Sequence, residues 1–470
     1  MFENSVFIKM LSCIGMWFSS QFEKSKLINI FLTQNDKKEN VENSIFSKVF
    51  YGILNVLRKV FSVLKFDKLF EGSIYRISSI WCGLAVVLAP FIPTMVLLAI
   101  AAAGVCSLIL EFLCNKDKKL KYIPINKYIY LYAFAYIYAT ITSVTVKGSL
   151  FGGMLTVFFI LFFIVIVNSV ETKIQLHIIM FFMICMGVLV SLYGFYQFMF
   201  PDKFTNVWLD TDMFSDIGFR VYSTFENPNV LGEYFLLVIP FGVAYTFNGK
   251  NIISKIFFGG CTAIMMVCLI LTYSRGCYLG ILFAAAVFLV LYDRRFIWLG
   301  IVGIILLPFI LPDAIINRFM SIGDMSDTST SYRVYIWLGT IAMLKDYWFC
   351  GVGPGIDAFN VVYPAYAFNS ISAPHSHNLF LQIICDAGII GFLLFIAVIY
   401  QFYKYTCASL KKETNKKAKV YNLAAISAVT GFMVQSMTDY TFYNYRVTFL
   451  FWAVLAIGVL FARYSELKEA

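Results

Sequence analysis

The sequence predicts an all-α polytopic membrane protein with about 12 transmembrane helices and a large external loop containing short amphipathic helices. Of its 470 residues, 60% are apolar and only 14% are charged, whereas a soluble domain carries about 25% charged residues. The apolar residues also come in long blocks, and residues 174–200 contain a single charged or imidazole side chain, His177. A transmembrane barrel would instead show alternating segments of about ten residues.

A hydropathy window of about 19 residues places twelve spans along the chain. They cover residues 76–91, 93–113, 128–146, 150–169, 174–200, 228–247, 253–273, 275–292, 296–311, 378–403, 419–437 and 447–463. The first two are separated by Pro90 and Pro93. Because proline interrupts helices, the pattern leaves open whether these two are separate helices or one broken element.

The distribution of lysine and arginine predicts the orientation of the spans. Lysines are concentrated in the loops at 116–127 and 404–419, and the positive-inside rule assigns such loops to the cytoplasm. Alternation then places the long segments 201–227 and 312–376 outside. An even number of spans places both termini in the cytoplasm.

Residues 1–75 are predicted to form a cytoplasmic extension ahead of a transmembrane region at 76–470. A polar linker at 34–43 is followed by apolar residues at helical spacing, with basic residues between them. The apolar positions are Phe46, Val49, Phe50, Ile53, Leu57, Val60, Phe61 and Leu64. This pattern is typical of a helix in the headgroup region of an anionic membrane. Residues 1–33 do not read as a signal peptide, because Lys9 interrupts the apolar run and no small-residue cleavage site follows.

Charge and cysteine content exclude two other classes. The net charge of +10 does not indicate nucleic-acid binding, because the excess lysines follow membrane topology. The eleven cysteines are scattered singly, which indicates neither a disulfide framework nor a zinc ribbon.

Four ionisable residues on the predicted external side are the candidates for chemistry: Arg220, Arg275, Arg333 and His377. Each alone has an ordinary explanation, since arginines anchor helices at headgroups and a histidine can cap a helix. Their coincidence on one face favours a functional site, because ionisable groups at a bilayer are costly. The remaining external arginines, Arg318 and Arg446, are attributed to anchoring.

Metal and nucleotide sites are disfavoured. His375 and His377 lack a third ligand nearby, because Asp386 lies about 13 Å further along a helix, whereas zinc sites take at least three protein ligands. The Gly-rich stretch 351–355 lacks the Lys-Ser/Thr of a phosphate-binding loop.

Four short motifs occur between residues 215 and 405. His377 and Asn378 precede nine residues and a Gly-x-x-Gly pair. Arg220 precedes an F-x-N-P-N-x-x-G stretch at 225–232, and Ser-Arg-Gly at 274–276 follows an apolar span. An Arg-x-x-x-Trp motif at 333–337 leads to glycines at 351, 353 and 355. Together these motifs resemble the O-antigen ligase and polymerase superfamily.

The resemblance implies a bacterial inner-membrane transferase that moves a glycan from a polyprenyl-diphosphate donor to a glycan, lipid or protein acceptor. It implies inversion at the anomeric carbon, with neither metal nor cofactor. In that family pattern His377 is the general base, and Arg220, Arg275 and Arg333 bind the diphosphate. His375 and Asn378 are possible helpers. Independently of the resemblance, Tyr332, Trp337, Ile341 and Leu344 predict a short amphipathic helix in the segment 312–376 that is expected to lie over the site.

Two other functions are compatible with twelve spans. A secondary transporter would place charges near the midplane or show two related halves, and neither is evident. A flippase would need a polar cavity open alternately to both sides. Within the transferase class, ligase and polymerase are not separated by the sequence.

Overall fold

The computed structural model of the chain describes residues 45–66, 77–205, 218–310 and 312–469. Regular structure in these ranges is helical, and the only β-type pairing there is an isolated bridge between Thr172 and Lys468. The all-α prediction is therefore confirmed for this part of the chain. The predicted linker at 34–43 lies outside the described residues.

Helix α1, Ile45–Val63, belongs to a unit of its own that ends at Leu64. Its predicted apolar stripe is solvent-exposed, with Val49, Ile53, Leu57 and Val60 each about half accessible or more. The structure thus contains a helix with exposed apolar residues here, and its location at a membrane surface stays a prediction.

The second unit, residues 65–470, begins with a series of long apolar helices. They are α2 (Ser78–Leu88), α3 (Thr94–Cys114), α4 (Asn126–Ile141), α5 (Val146–Ser169), α6 (Lys173–Met199), α7 (Pro228–Phe247), α8 (Ile252–Ile270), α9 (Arg275–Tyr292) and α10 (Ile297–Ile310). Helices α11 (Asp313–Met320), α12 (Thr328–Tyr347) and α13 (Ile356–Val362) follow, and then α14 (Leu379–Lys412), α15 (Lys416–Gln435) and α16 (Tyr445–Ala462).

Eight of these helices are long and apolar enough to cross a membrane, namely α3, α5, α6, α7, α8, α9, α14 and α16. The predicted count of about 12 is not confirmed. Helices α2, α4 and α10 have 11, 16 and 14 residues, fewer than the roughly 20 that span a 30 Å hydrocarbon layer. Helix α15 has 20 residues but is more polar, and its buried Asn422 donates a hydrogen bond to the carbonyl oxygen of Thr406.

Residues 89–93 separate α2 from α3, so the first two predicted spans are distinct helices. Pro93 is the N-cap residue of α3 and has extended backbone angles. A proline cannot continue the preceding helix, because it lacks an N–H to donate. Its fixed φ is compatible with the start of the next helix.

The lysine-rich segments meet at one end of the helical unit. Lys121 donates from Nζ to the carbonyl oxygens of Val167 and Val170 at the end of α5. Asn248, after α7, donates to the carbonyl oxygen of Lys417 in the first turn of α15. At the opposite end lie the beginnings of α7, α9, α14 and α16, so helix N-termini surround that end.

Residues 312–376 are built from α11, α12, α13 and short 3-10 turns, around a small hydrophobic core. This core includes Ile336, Met343, Phe359 and Tyr363. The predicted amphipathic stripe of α12 is partly wrong, because Ile341 is exposed while Ile336 and Met343 are buried. Helix α12 packs against other residues of the segment 312–376, so the face that it buries differs from the predicted one.

Helix α14 is kinked at Gly388, and the loop 348–352 crosses it there. Gly388 has φ of +64°, and a Cβ at this residue would overlap the carbonyl oxygen of Phe349. The amide of Val352 donates to the carbonyl of Cys385 (2.6 Å), and the amide of Ile389 donates to that of Trp348 (2.8 Å). The glycine therefore permits a close backbone contact that fixes the helix carrying the histidine motif.

Candidate functional site

A cavity of about 590 Å³ lies at the end opposite the lysine-rich segments; we call it the central cavity. Its polar lining includes Arg220, Asn229, Glu233, Arg318, Asp327, Ser329, Arg333, His375, His377 and Asp439. A smaller cavity of about 320 Å³, the arginine cavity, shares five of these residues and adds Arg275. The shared residues are Arg220, Asn229, Arg318, Ser329 and Arg333. The structure thus places Arg220, Arg333 and His377 around one cavity, whereas Arg275 lines only the adjoining arginine cavity.

His377 lies in the turn just before α14 and adopts a left-handed backbone conformation, with φ of +48°. Its amide donates to Nδ1 of His375 at 3.2 Å, and its carbonyl accepts from Nε1 of Trp337 at 3.2 Å. The preceding amide, that of Ser376, donates to the side-chain oxygen of Gln382 at 2.8 Å. Such a conformation is costly for a non-glycine residue and persists where surrounding contacts fix it.

Asp439, from the loop between α15 and α16, faces His377. Nδ1 of His377 lies 3.2 Å from Oδ1 of Asp439. Burial raises the pKa of this carboxyl, but the hydrogen bond and charge of His377, together with Arg333, outweigh burial and hold the pKa below its usual range. An ionised Asp439 accepts a hydrogen bond from the N–H of Nδ1, so the neutral ring carries its lone pair on Nε2.

His375 is almost completely buried, with 6% of its surface exposed. Its ring centre lies 4.2 Å from that of His377, 5.3 Å from that of Tyr440 and 4.8 Å from that of Tyr443. Burial, with a smaller contribution from His377, lowers the pKa of His375 to about 3. The ring is therefore neutral near pH 7, and because Nδ1 accepts from the His377 amide, its proton is on Nε2.

Arg220 connects the first external segment to Asp439 through Asn229. Its Nη2 donates to the side-chain oxygen of Asn229 (3.0 Å), and the Asn229 amide nitrogen donates to Oδ2 of Asp439 (2.9 Å). Burial, then the neighbouring charges of Arg318 and Arg333, lower the pKa of Arg220 to about 9. The guanidinium is therefore still charged at neutral pH, although the cations Arg318 and Arg333 lie nearby.

Arg275, at the start of α9, lies in the arginine cavity and is paired with Asp327. It forms a salt bridge to Asp327 and donates to the hydroxyl of Ser321 at 2.9 Å and that of Ser329 at 3.3 Å. Asp327 is also the N-cap residue of α12 and accepts from the Ser329 amide. Arg275 thus joins the membrane helix α9 to the external segment.

Arg318, attributed to anchoring in the sequence analysis, lines both cavities. Its Nη1 lies 3.5 Å from Asp327. Burial, then repulsion from Arg275, lowers its pKa to about 10. Four arginines and three carboxylates (Glu233, Asp327 and Asp439) therefore line the two cavities, and two of the carboxylates are already paired with arginines.

Arg333 projects from α12 into the central cavity. Its Nη1 donates to the Ser329 hydroxyl at 2.6 Å, and its Nη2 lies 3.8 Å from Asp439. Its Nε is buried and has no hydrogen-bond partner among the described residues. A buried donor without a partner is costly, and an anion in the cavity would satisfy it.

Asn378 occupies a structural position beside the cavity. Its side-chain oxygen caps α14 by accepting from the Leu381 amide, and its amide nitrogen donates to the carbonyl of Met437. Both ends of the side chain are occupied, so the residue fixes the helix start next to His377.

Sequence reasoning missed Asp439 and Asn229. It considered only external cations, whereas Asp439 is an external carboxylate in the short loop after a predicted span. The same argument about costly ionisable groups near a bilayer applies to both signs of charge. Asn229 lies within the F-x-N-P-N-x-x-G stretch but was read only as part of the motif.

Residues 260–396 match the family model described as O-antigen ligase. This range contains Arg275, Arg318, Arg333, His375 and His377, whereas Arg220 and Asp439 lie outside it. No curated protein matches the chain. The match supports assignment to the O-antigen ligase and polymerase superfamily, and with it glycan transfer of the ligase or polymerase type. Together with the apolar helices, it indicates a multi-pass membrane protein.

Proposed function

Starting from this family assignment, we propose that the chain transfers a glycan from a polyprenyl-diphosphate donor to an acceptor hydroxyl, with inversion at the anomeric carbon. The observation that carries the proposal is the His377–Asp439 pair at 3.2 Å within a cavity lined by arginines. A base beside clustered cations suits a reaction in which a hydroxyl loses a proton and an anionic group departs.

His377 acts as the general base. The acceptor oxygen attacks the anomeric carbon, the bond from that carbon to the diphosphate oxygen breaks, and the hydroxyl proton passes to Nε2. Asp439 holds the ring in the tautomer that leaves Nε2 as acceptor and stabilises the imidazolium that forms, the same division of roles as in a hydrolase triad. A positioned base of this kind contributes about 10²–10⁴-fold to rate.

The arginines receive the departing diphosphate. Arg220 and Arg333 face the same cavity as His377, and Arg318 adds a third cation. Planar guanidinium groups bind phosphate oxygens bidentately and stay charged when partly desolvated. Arg275 serves from the adjoining arginine cavity, where it also holds Asp327 in place. Because these donors are fixed before the reaction, they stabilise the charge that develops in the transition state.

The proposal requires no metal, since the arginines supply positive charge where the leaving group forms. A single displacement inverts the configuration. His375 positions His377 by accepting a hydrogen bond from the His377 amide. Asn378 positions it by capping the start of α14.

Orientation and location complete the proposal. The lysine-rich end faces the cytoplasm by the positive-inside rule, and the cavities open on the external face of a bacterial inner membrane. Membrane lipids contact the exposed apolar helix surfaces. The acceptor is a glycan, a lipid or a protein that carries a hydroxyl.

The test is reconstitution of the purified full chain with a defined polyprenyl-diphosphate oligosaccharide. Release of polyprenyl diphosphate with growth of the glycan indicates a polymerase, and transfer only to an added acceptor indicates a ligase. NMR of the new linkage reports inversion, and activity that persists in chelator supports the metal-free mechanism. Absence of diphosphate release under all acceptor conditions refutes the proposal.

The His377→Ala variant should lose transfer by at least 10²-fold while retaining donor binding. His177→Gln, at the other end of the helical unit, is the matched control, since His177 contacts Tyr245 and Tyr464. Normal glycan product from His377→Ala would overturn the assignment of the base.

A further inference from the structure

A third cavity, of about 550 Å³, adjoins the central cavity on the side away from Arg275. We call it the aromatic cavity; Phe91, Thr94, Glu226, Tyr443, Asn444 and Tyr445 are among its lining residues. It shares Pro374, His375, Tyr440 and Tyr443 with the central cavity, and it shares no lining residue with the arginine cavity. The three cavities therefore form a row with the central cavity in the middle, and His375 lies between the two larger ones, whereas His377 lines only the central cavity.

The charge of the lining changes along this row. The central and arginine cavities carry four arginines, whereas Arg446 is the only arginine or lysine among the described residues of the aromatic cavity. Arg446 donates to the carbonyl oxygens of Thr224 (2.9 Å) and Pro90 (3.3 Å) and lies 4.9 Å over the ring of Phe225. Its charge therefore serves local structure, and the aromatic cavity is unsuited to a diphosphate.

The chemistry of the aromatic cavity suits an uncharged, hydroxyl-rich ligand. Rings of Phe91, Tyr443 and Tyr445 offer flat apolar faces with polar edges, and Glu226 offers a hydrogen-bond acceptor. Asn444 caps α16 with its side-chain oxygen, so its amide nitrogen is the group that can donate to a ligand. Aromatic faces combined with a few convergent polar groups are what a sugar ring requires.

From this row of cavities we infer that the aromatic cavity is the acceptor subsite and holds the sugar ring whose hydroxyl attacks the donor. This inference rests on the proposed function and deepens it. An acceptor held there approaches His377 past the shared residues His375 and Tyr443, while the diphosphate lies toward the arginines on the other side. That arrangement places the nucleophile opposite the leaving group, as one inverting displacement requires.

Tyr443 lines both the aromatic and the central cavity. The residue is 44% exposed, and its ring is tilted against that of His375 with ring centres 4.8 Å apart. The acceptor specificity therefore depends on the lining at 226 and 443–445, and the donor specificity depends on the arginines.

The experiment measures two activities of the reconstituted full chain with a polyprenyl-diphosphate oligosaccharide as donor. The first is transfer to the same oligosaccharide freed from its lipid and tagged at its reducing end. The second is slow hydrolytic release of polyprenyl diphosphate without acceptor, in which water replaces the acceptor hydroxyl. The variants are Glu226→Ala and Asn444→Asp. The latter keeps the capping oxygen and removes the amide donor, and Asn and Asp are equivalent N-caps. Glu466→Gln, at the lysine-rich end, is the matched control.

The inference predicts that each variant raises the KM for the tagged oligosaccharide about tenfold, as expected for the loss of one hydrogen bond. The donor KM and the hydrolytic rate should stay within twofold of wild type. An unchanged acceptor KM in both variants, with wild type active, overturns the subsite assignment alone. A raised donor KM with an unchanged acceptor KM also overturns it. A wild-type chain that releases no diphosphate refutes the proposed function itself.

Discussion

Nδ1 of His377 lies 3.2 Å from Oδ1 of Asp439, a carboxylate that reaches it from the loop between the last two helices. The contact joins residues 62 positions apart in the sequence. It fixes which ring nitrogen carries the proton, and therefore which nitrogen can accept one. Asp439 is thus a positioning residue for the proposed base.

Replacement of Asp439 by Asn should reduce kcat by about 10²–10⁴-fold, because an amide no longer selects the reactive tautomer. Reconstituted transfer with a polyprenyl-diphosphate oligosaccharide measures the effect. Asp117→Asn is the control, since that aspartate is exposed at the lysine-rich end of the helical unit. A variant at 439 with wild-type kcat would show that the carboxylate has no part in catalysis.

Arg333 presents a buried Nε without a partner among the described residues, and substitution there should weaken donor binding. Arg333→Lys keeps the charge but loses the planar fork, so the donor KM should rise by about 10-fold. Arg333→Ala should raise it by about 100-fold. Lys345→Ala on the same helix serves as control. An equal donor KM in Arg333→Ala and wild type would remove Arg333 from the diphosphate site.

Most of the fold was predictable because long apolar runs and proline breaks act locally. The limits of the eight long helices agree with the predicted spans to within a few residues, except that α14 continues nine residues beyond its predicted end, to Lys412. The face of α12 was not predictable, since it depends on which residues of its own segment pack against it. Ile341 follows the expected period and is nevertheless exposed.

The site was predictable as a set of residue types but not as a set of contacts. Arginine and histidine at a membrane surface stand out in a sequence with few charges, so Arg220, Arg333 and His377 could be found. The pairing of Arg275 with Asp327 and of His377 with Asp439 depends on tertiary proximity that no local pattern records.

The buried His375 should make stability dependent on pH. Its folded pKa of about 3 lies below the ordinary value near 6.5, so the unfolded chain binds more protons between these values. The stabilising contribution is therefore complete above about pH 6.5 and decreases by about 1.4 kcal/mol per pH unit as the pH falls toward 3. His377, Asp439 and Arg333 are the neighbouring charged or titratable groups.

Thermal unfolding in detergent between pH 4.5 and 7.5 measures this dependence. In His375→Gln the unfolding free energy should depend less steeply on pH, by the equivalent of about one proton, because a glutamine does not titrate. The Tm of this variant at pH 7.5 should be lower than that of the wild type. Between pH 4.5 and 6.5 the wild type should lose stability faster than the variant. Parallel profiles for both proteins would show that His375 is protonated in the folded state.

The kink at Gly388 should tolerate no side chain. Gly388→Ala places a methyl group against the Phe349 carbonyl at a residue with positive φ. We therefore expect the free energy of unfolding to fall by about 2–4 kcal/mol. Gly260→Ala is the matched control, since nothing lies within 4 Å of a Cβ there and alanine favours helix. A detergent Tm unchanged in Gly388→Ala would show that the loop 348–352 does not need this close contact.

Helix α1 should bind anionic membranes through its exposed apolar stripe. A peptide covering residues 44–66 should become helical on vesicles containing phosphatidylglycerol and stay largely unfolded with phosphatidylcholine alone. Each basic residue near an anionic surface contributes about 1 kcal/mol, and Lys48, Arg58 and Lys59 are available on this helix. Circular dichroism measures the change.

The control peptide carries Ile53→Asp and Leu57→Asp, which remove the apolar contact but keep the basic residues. Equal helicity of both peptides on anionic vesicles would mean that charge alone accounts for binding and that the stripe does not enter the headgroup region.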